Sequence, residues 1–540
     1  MNNKNSRFSI VPPQVNIERS RQEFNSTHLT TFNAGKLIPI YAQEVLPGST
    51  FTMDTSALVR MSTPIFPVMD DAFLDTYYFW VPNRILWNHF KNLMGENDET
   101  YWVSPTKYEV PFITFDEGVK PSGVGDYIGI PPSVPCSVSS LPFRAYRLIW
   151  NEWFRDQNLQ DPELINLGDS ESDITLDDLL PVAKYHDYFT SCLPAPQKGP
   201  DVYLPIGNAP VVTSNELLEA SNSFVPLYFQ TTAGQTVDEA GHLALTMPNN
   251  SSKTLRAEYG VKGGGEDTVL TQAALRPANL VADLTSSDFA TINNLRTAFA
   301  IQRIYERDAR SGTRFREMLK AHFGVTIPDQ TVQIPEYLGG NRTPITVNQV
   351  VQQSSTNEVS PQGNVAAYSK TVGYDHSFDK SFVEHGWIIG VACVRTQHTY
   401  SQGIERQFFK KDRFDFYWPA LANIGEQPVF NREIFYQGTS EDEEVFGYQE
   451  AWAEHRYKPN RLSGAFRPGA GSLDSWHYGD YYEDVPRLSD EWIRETDENI
   501  NRTLAVQSSL ADQFLADFYF KCTVTLPMPL YSVPGLLDHN

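Results

Sequence analysis

The residues of this chain that could do acid–base or metal chemistry are plentiful, with 66 Asp and Glu and 11 His. Their spacing decides whether they do. Asp169-x-Glu171-x-Asp173 sets three carboxylates at alternate positions, a pattern that could surround calcium. It lacks the glycine and the terminal glutamate of an EF-hand loop, so an acidic surface loop is the simpler reading. His385 and His455 each follow a glutamate, but neither has a second histidine at helical spacing to complete a zinc pair. Ala34-Gly35-Lys36 lacks the upstream glycine and the following hydroxyl of a phosphate loop. Gly123-Val-Gly125 is followed by Gly129, one residue late for a dinucleotide turn. No Gly-x-Ser-x-Gly elbow occurs. Paired carboxylates for glycoside hydrolysis stay open, because their separation in space is not written in the sequence. An aromatic-rich β protein that binds or cleaves carbohydrate is therefore the rival to any structural reading.

Cationic residues are more localised. Lys4, Arg7, Arg19 and Arg21 face only Glu18 within the first 22 residues, and Pro12-Pro13 blocks helix there. Such a segment is either a flexible terminus or an arm that reaches a polyanion or a neighbouring subunit. Arg303, Arg307, Arg310 and Arg314 form a second set within residues 291–323. They are expected to line a solvated, salt-bridged face or a contact between subunits.

The elements that must position these residues are mostly strands. Leu37 to Tyr41, Phe51 to Met61 and Phe73 to Val81 read as strands, the last apolar on both faces. Gly386 to Val394 is a continuous apolar run, and Phe518, Phe520, Cys522, Val524 and Leu526 alternate with polar residues. Strands thus gather at both ends of the chain, and a terminal strand can pair beside an early one in a double-sheet Greek key. Helices are expected after Asn83, ending at Gly95, and from Pro142, where Phe143, Tyr146, Trp150 and Trp153 form one stripe. Residues 291–323 make the clearest helix, with Leu295, Phe299, Gln302, Tyr305 and Ala309 on one face and a break at Ser311-Gly312. Residues 161–180 hold acids and no base. No Trp occurs between Trp153 and Trp387, and residues 200–275 are rich in Ser, Thr, Asn and Gly. That stretch reads as an excursion from the main body.

Composition sets the outer limits. Hydrophobic residues make up 41% and charged residues 20%, which excludes wholesale disorder. The formal net charge of −23 argues against a basic, nucleic-acid-coating chain. No apolar core follows Met1–Asn5, so a secretory signal is not expected. The longest apolar stretch, Trp387–Val394, is far too short to span a bilayer. Cys136, Cys192, Cys393 and Cys522 are widely spaced and read as reduced thiols.

Several ordered blocks carry a family resemblance. They include Thr31-Phe-Asn-Ala-Gly-Lys-Leu-Ile-Pro-Ile-Tyr41, Met61-Ser-Thr-Pro-Ile-Phe-Pro-Val-Met-Asp70 and Val81-Pro-Asn-Arg84. Leu141 to Gln157, Glu306 to Thr313, His322 to Val325 and Pro335 to Gly340 continue the series. Asp415-Phe-Tyr-Trp-Pro419, Ile424-Gly-Glu-Gln427 and Arg456-Tyr-Lys-Pro459 complete it. Taken together, the chain resembles the major capsid proteins of microviruses, small icosahedral single-stranded-DNA phages, and among them the gokushovirus-like branch. Residues 160–290 match least.

The resemblance implies a mainly β chain: an eight-stranded jelly-roll barrel of viral capsid type with long loop and helical insertions. Residues 1–29 would be an N-terminal arm and 30–540 a single capsid domain, with 200–275 a variable surface protrusion implicated in host attachment. It implies self-assembly into an icosahedral shell in the host cytoplasm, with no catalytic residue, cofactor, metal or membrane insertion. The implied partners are further copies of the chain, packaged single-stranded DNA, a small basic DNA-packaging protein, a minor capsid or pilot protein and a host receptor. Lys4, Arg7, Arg19 and Arg21 become candidates for interior contacts to DNA or the packaging protein. Arg303, Arg307, Arg310 and Arg314 become candidates for subunit contacts.

Overall fold

The computed structural model describes residues 17–96, 106–200, 292–311, 314–324, 326, 328, 333–354, 362–467 and 473–531, with six three-residue strands between 211 and 282. Nine strands build the main body. They are β1 (Ser20–Glu23), β2 (Ser26–Phe32), β3 (Ile38–Val45), β4 (Thr50–Met61) and β5 (Ala72–Pro82). After a long connection come β6 (Glu336–Pro344), β7 (Thr371–Ser381), β8 (Gly386–Thr396) and β9 (Phe514–Leu526).

Pairing follows a nested scheme. β2 pairs with β9, β3 with β8, β4 with β7 and β5 with β6, all antiparallel. Wrapping that nested ladder puts alternate pairs into two sheets. One sheet runs β2-β9-β4-β7, with β1 extending β2 along β9. The other runs β6-β5-β8-β3. This is the strand order of a jelly roll. β1 and β2 place residues 20–32 inside a sheet, so the arm boundary expected between 29 and 30 falls within a strand.

Alternation explains how the sheets meet. In β9, Phe514, Ala516, Phe518, Phe520, Cys522 and Val524 are buried while Leu515, Tyr519 and Lys521 face outward. They join Phe51, Met53, Val59, Tyr78, Trp80, Ile388 and Val394 in one core between the sheets. β5 uses both faces. Leu74, Tyr78 and Trp80 point into that core, whereas Phe79 and Val81 join a second core with Ile389, Val391 and Cys393.

The second core is covered by the connection between β5 and β6. Its main helix is α1 (Leu141–Ile149), with Pro142 in its first turn, continued by a π turn over Trp150–Phe154. Phe143, Tyr146 and Trp150 are buried against the sheet as the stripe predicted. The Tyr146 hydroxyl donates to the Leu37 carbonyl at 2.7 Å and accepts from the Leu180 amide at 2.9 Å. The helix expected from Asn83 to Gly95 is instead a 3-10 turn at Asn83–Ile85 and a four-residue helix at Phe90–Leu93. Trp87 lies in the break, fully buried, with its indole donating to Asp169 at 2.7 Å. That tertiary bond overrides a local helical preference.

Residues 199–305 form a separate compact unit. Within it three antiparallel pairs nest: Val211–Thr213 with Leu280–Ala282, Phe229–Thr231 with Leu275–Pro277, and Ala244–Thr246 with Arg256–Glu258. The 200–275 boundary therefore separates Val211–Thr213 from Leu280–Ala282 and cuts through the strand Leu275–Pro277. The connection between β8 and β9 builds a third core around Tyr188, Phe189, Tyr400, Phe446 and Trp492.

A buried ionic cluster fixes that connection to β8. His398 lies between Asp480, 2.9 Å away, and Glu495, 2.8 Å away. Glu495 also accepts from the Thr396 amide and hydroxyl, and Asn499 donates to Asp480. Burial alone would lower the His398 pKa, but the two carboxylates raise it to about 10. Burial alone would raise that of Asp480, but His398, Lys184 and Asn499 hold it at about 2. A raised imidazole contributes in full below its unfolded value of about 6.5, and loses that contribution as pH climbs through the folded value. Asp480 contributes in full above about 3.9 and loses it as pH falls through the folded value. His398→Gln is therefore expected to lower the melting temperature most between about pH 4 and 6.5, with the deficit shrinking toward pH 10. Calorimetry of the purified chain checks this, and a deficit independent of pH would show that the imidazole is neutral.

Candidate assembly surfaces

The sequence-predicted arginines divide into two kinds. They lie on α2 (Ile292–Ser311) and just before α3 (Phe315–Phe323), with the expected break between. Arg303 and Arg307 are exposed. Arg310 reaches Glu426 at 2.5 Å, and the Glu426 side chain is almost fully buried. Arg314 donates to the Asn151 carbonyl at 2.6 Å and pairs with Glu152 at 3.2 Å. Arg310 and Arg314 therefore pin the helices to their own chain, and only Arg303 and Arg307 present free surface charge. Of the predicted apolar stripe, Ala309 is buried, but Phe299 stands 65% exposed.

Of the N-terminal cations, Arg19 and Arg21 are exposed. Arg21 sits opposite Thr525 on the solvent face of the β2-β9-β4-β7 sheet. Lys4 and Arg7 lie outside the described residues.

Three acids of the stretch 161–180 are engaged by partners within the chain. Asp169 accepts from Trp87 and His89, both at 2.7 Å, and these bonds lower its pKa. Glu171 meets Arg144 at 3.0 Å with both side chains buried. Asp173 accepts from Arg147 at 2.8 Å and from the Thr175 amide at 3.0 Å. Burial would raise the Asp173 pKa, but these donors hold it below the usual range. The three carboxylates point at three different partners, and among the described residues no group of three or more His, Cys, Asp or Glu could hold a metal ion. The four cysteines are free thiols, three of them buried. Among the described residues, no helix is long and apolar enough to cross a membrane.

Two surfaces present large apolar side chains to solvent. The first is the outer face of the β2-β9-β4-β7 sheet. Tyr519, Ser56 and Tyr374 align across three strands, as do Asp517, Leu58 and Val372. Leu29, Tyr374 and Val372 are 80%, 69% and 66% exposed. The second is the loop 411–420, in which every residue is exposed. It presents Phe414, Phe416, Tyr417 and Trp418. Cations are interleaved with these rings: Arg413 lies 4.8 Å from the Trp418 centroid, and Lys410 lies 5.8 Å from that of Phe416. Exposed apolar side chains mixed with Arg and aromatic rings are the composition of protein–protein contacts. Sequence reasoning passed over this loop as a surface, because aromatic density alone does not separate a core from an interface.

Comparison with known proteins agrees on one family. The model of the capsid protein (F protein) family matches residues 11–536. The capsid protein VP1 of Spiroplasma virus 4 is 43% identical over 538 residues, covering 96% of both chains. That of Bdellovibrio phage phiMH2K is 38% identical, covering 98% of this chain and 97% of its own. That of Chlamydia phage 1 is 37% identical, covering 98% of both.

Substituting Phe414 and Phe416 with serine tests whether the exposed loop is a contact. Exposed positions away from a core usually change stability by no more than about 0.5 kcal/mol. The double variant is therefore expected to melt with the unaltered chain but to lose self-association in sedimentation. A lowered melting temperature with unchanged association would place the rings in the chain's own packing.

Proposed function

The chain belongs to the capsid protein (F protein) family and is a major capsid protein; from that premise we propose that its copies close into a small icosahedral shell around a single-stranded DNA genome. The observation that carries this reading is the jelly-roll strand order with one sheet buried on both faces and the other left open. Each of the nine strands finds a partner within the chain, so side-chain surfaces, loops and strand edges remain for neighbours. A closed shell needs such surfaces repeated around its symmetry axes. The outer sheet face, the 411–420 loop and the exposed Arg303 and Arg307 supply them.

The net charge of −23 assigns most DNA neutralisation elsewhere. A small basic packaging protein and mobile cations meet that need, and a minor capsid or pilot protein completes the particle. Lys4, Arg7, Arg19 and Arg21 add a modest interior contribution. Assembly takes place in the bacterial cytoplasm. The segment 200–275 is the outward protrusion that meets the host receptor. Its support is the separate unit at 199–305 and a composition unlike the aromatic body.

Two experiments test these roles. Val211 and Ala282 are partners in an antiparallel pair, so a short Gly/Ser turn can replace residues 211–282. Electron microscopy of that variant is expected to show intact shells, and these shells should fail to adsorb to host cells. Loss of shells would make the segment part of the shell contacts instead. Reversing the charge of Lys4, Arg7, Arg19 and Arg21 is expected to lower the share of DNA-filled particles while empty shells persist; unchanged packaging would remove these four from the interior.

A further inference from the structure

A cavity of about 860 Å³ opens in the connection between β8 and β9, within the usual range of roughly 300–1,000 Å³ for ligand sites. Its charge is opposite to that of the chain. Five Lys and Arg side chains line it against three carboxylates, in a protein of net charge −23. Four of the five come from one short stretch, Arg456 to Arg467. Lys458 and Arg461 both pair with Glu405, so one carboxylate is shared between two exposed cations. Arg467 is exposed beside them.

The uncharged lining is aromatic. Tyr188 and Tyr457 stack with their centroids 5.4 Å apart, only 11° from parallel, and form one wall. Phe408, 66% exposed, forms another. Ser401 supplies a further clue. Its residue is only 7% exposed, it lines the cavity, and its hydroxyl has no hydrogen-bond partner. A buried hydroxyl left unsatisfied calls for an occupant.

We propose that this cavity binds a nucleotide of single-stranded nucleic acid, with the base against Phe408 and its phosphates on Lys458, Arg461 and Arg467. Cations that track a backbone beside rings that accept base faces are the working parts of single-strand binding. A polyacidic peptide would use the cations and leave the exposed ring idle. The inference rests on the capsid reading for the presence of DNA, and it goes beyond that reading by making the cavity's side of the subunit the inward one. It also locates DNA binding in residues that the N-terminal arm does not contain.

The test uses the full-length purified chain, fluorescein-labelled (dT)8 and anisotropy across a salt series. Lys458→Gln, Arg461→Gln and Arg467→Gln together are expected to reduce the slope of log affinity against log salt by about 2, at roughly 0.7 for each phosphate no longer neutralised. Phe408→Ala is expected to weaken binding by about fivefold or more with the slope unchanged. An octaglutamate peptide is expected to compete poorly. Unchanged affinity in both variants would overturn the proposal. So would octaglutamate competing as well as unlabelled (dT)8, which would make the cavity a protein-partner site. Electron microscopy of the unaltered chain with its viral partners is read separately, since absence of shells would count against the capsid reading and not against the binding result.

Discussion

Phe79, Val81, Ile389, Val391 and Cys393 project from the outer face of the β6-β5-β8-β3 sheet, and something in the chain has to cover them. Burying each large side chain is worth about 1.5–3 kcal/mol, so the covering layer is a condition of folding. The layer is α1 and its flanking loops, carried by the long connection between β5 and β6. α1 brings two arginines with it. Arg144 and Arg147 are almost wholly buried, and a buried charge without a partner costs about 3–5 kcal/mol. The acidic strap supplies those partners through Glu171 and Asp173. The Gly168 and Leu164 carbonyls take up further guanidinium hydrogens. A stretch that reads as a solvated acidic loop is therefore an electrostatic clamp on the helix that seals the sheet.

Covering one sheet from within leaves residues of the other facing solvent. Among the described residues, Leu29, Tyr374 and Val372 of the β2-β9-β4-β7 sheet stand exposed. Such a surface is a liability in a lone molecule and an asset in a shell. The same division recurs in the connection between β8 and β9. Its inner side packs around Trp492 and Tyr400, while residues 411–420 turn their rings outward. The rings that pack the fold and the rings that face solvent are thus different residues, and substitutions can separate their roles.

β3, β4, β5, β8 and β9 were legible from sequence because their signals are local, whereas β6 and β7 were not read. The alternation of β9 and the unbroken run of β8 each need only one strand to be read. The Phe143, Tyr146 and Trp150 stripe of α1 is equally local. What escaped depends on distant partners. Nothing near Trp87 says that Asp169 will hold its indole and break a helix. β1 and β2 are polar and short, and they become strands because β9 lies beside them. Arg310 reads like Arg303 until Glu426, more than a hundred residues away, is seen to hold it. The cavity is assembled from four separate segments, around residues 188–189, 400–408, 433 and 454–467, so no single spacing could announce it.

Net acidity and self-association stand in conflict, since copies of charge −23 repel one another. Screening resolves the long-range part. At physiological ionic strength the Debye length is about 8 Å, so charges on distant faces barely sense each other. What remains is the charge at the loop proposed as a contact, and there the chain is not acidic. Lys410, Lys411 and Arg413 accompany the exposed rings against Asp412 and Asp415. Part of the acid is withdrawn from the surface altogether, because Asp75, Glu171, Asp480 and Glu495 are buried against arginines or a histidine. The net charge that first argued against a nucleic-acid coat is therefore a sum that hides its own distribution. Some of the negative charge clamps the fold, and positive charge accompanies the exposed rings of the 411–420 loop.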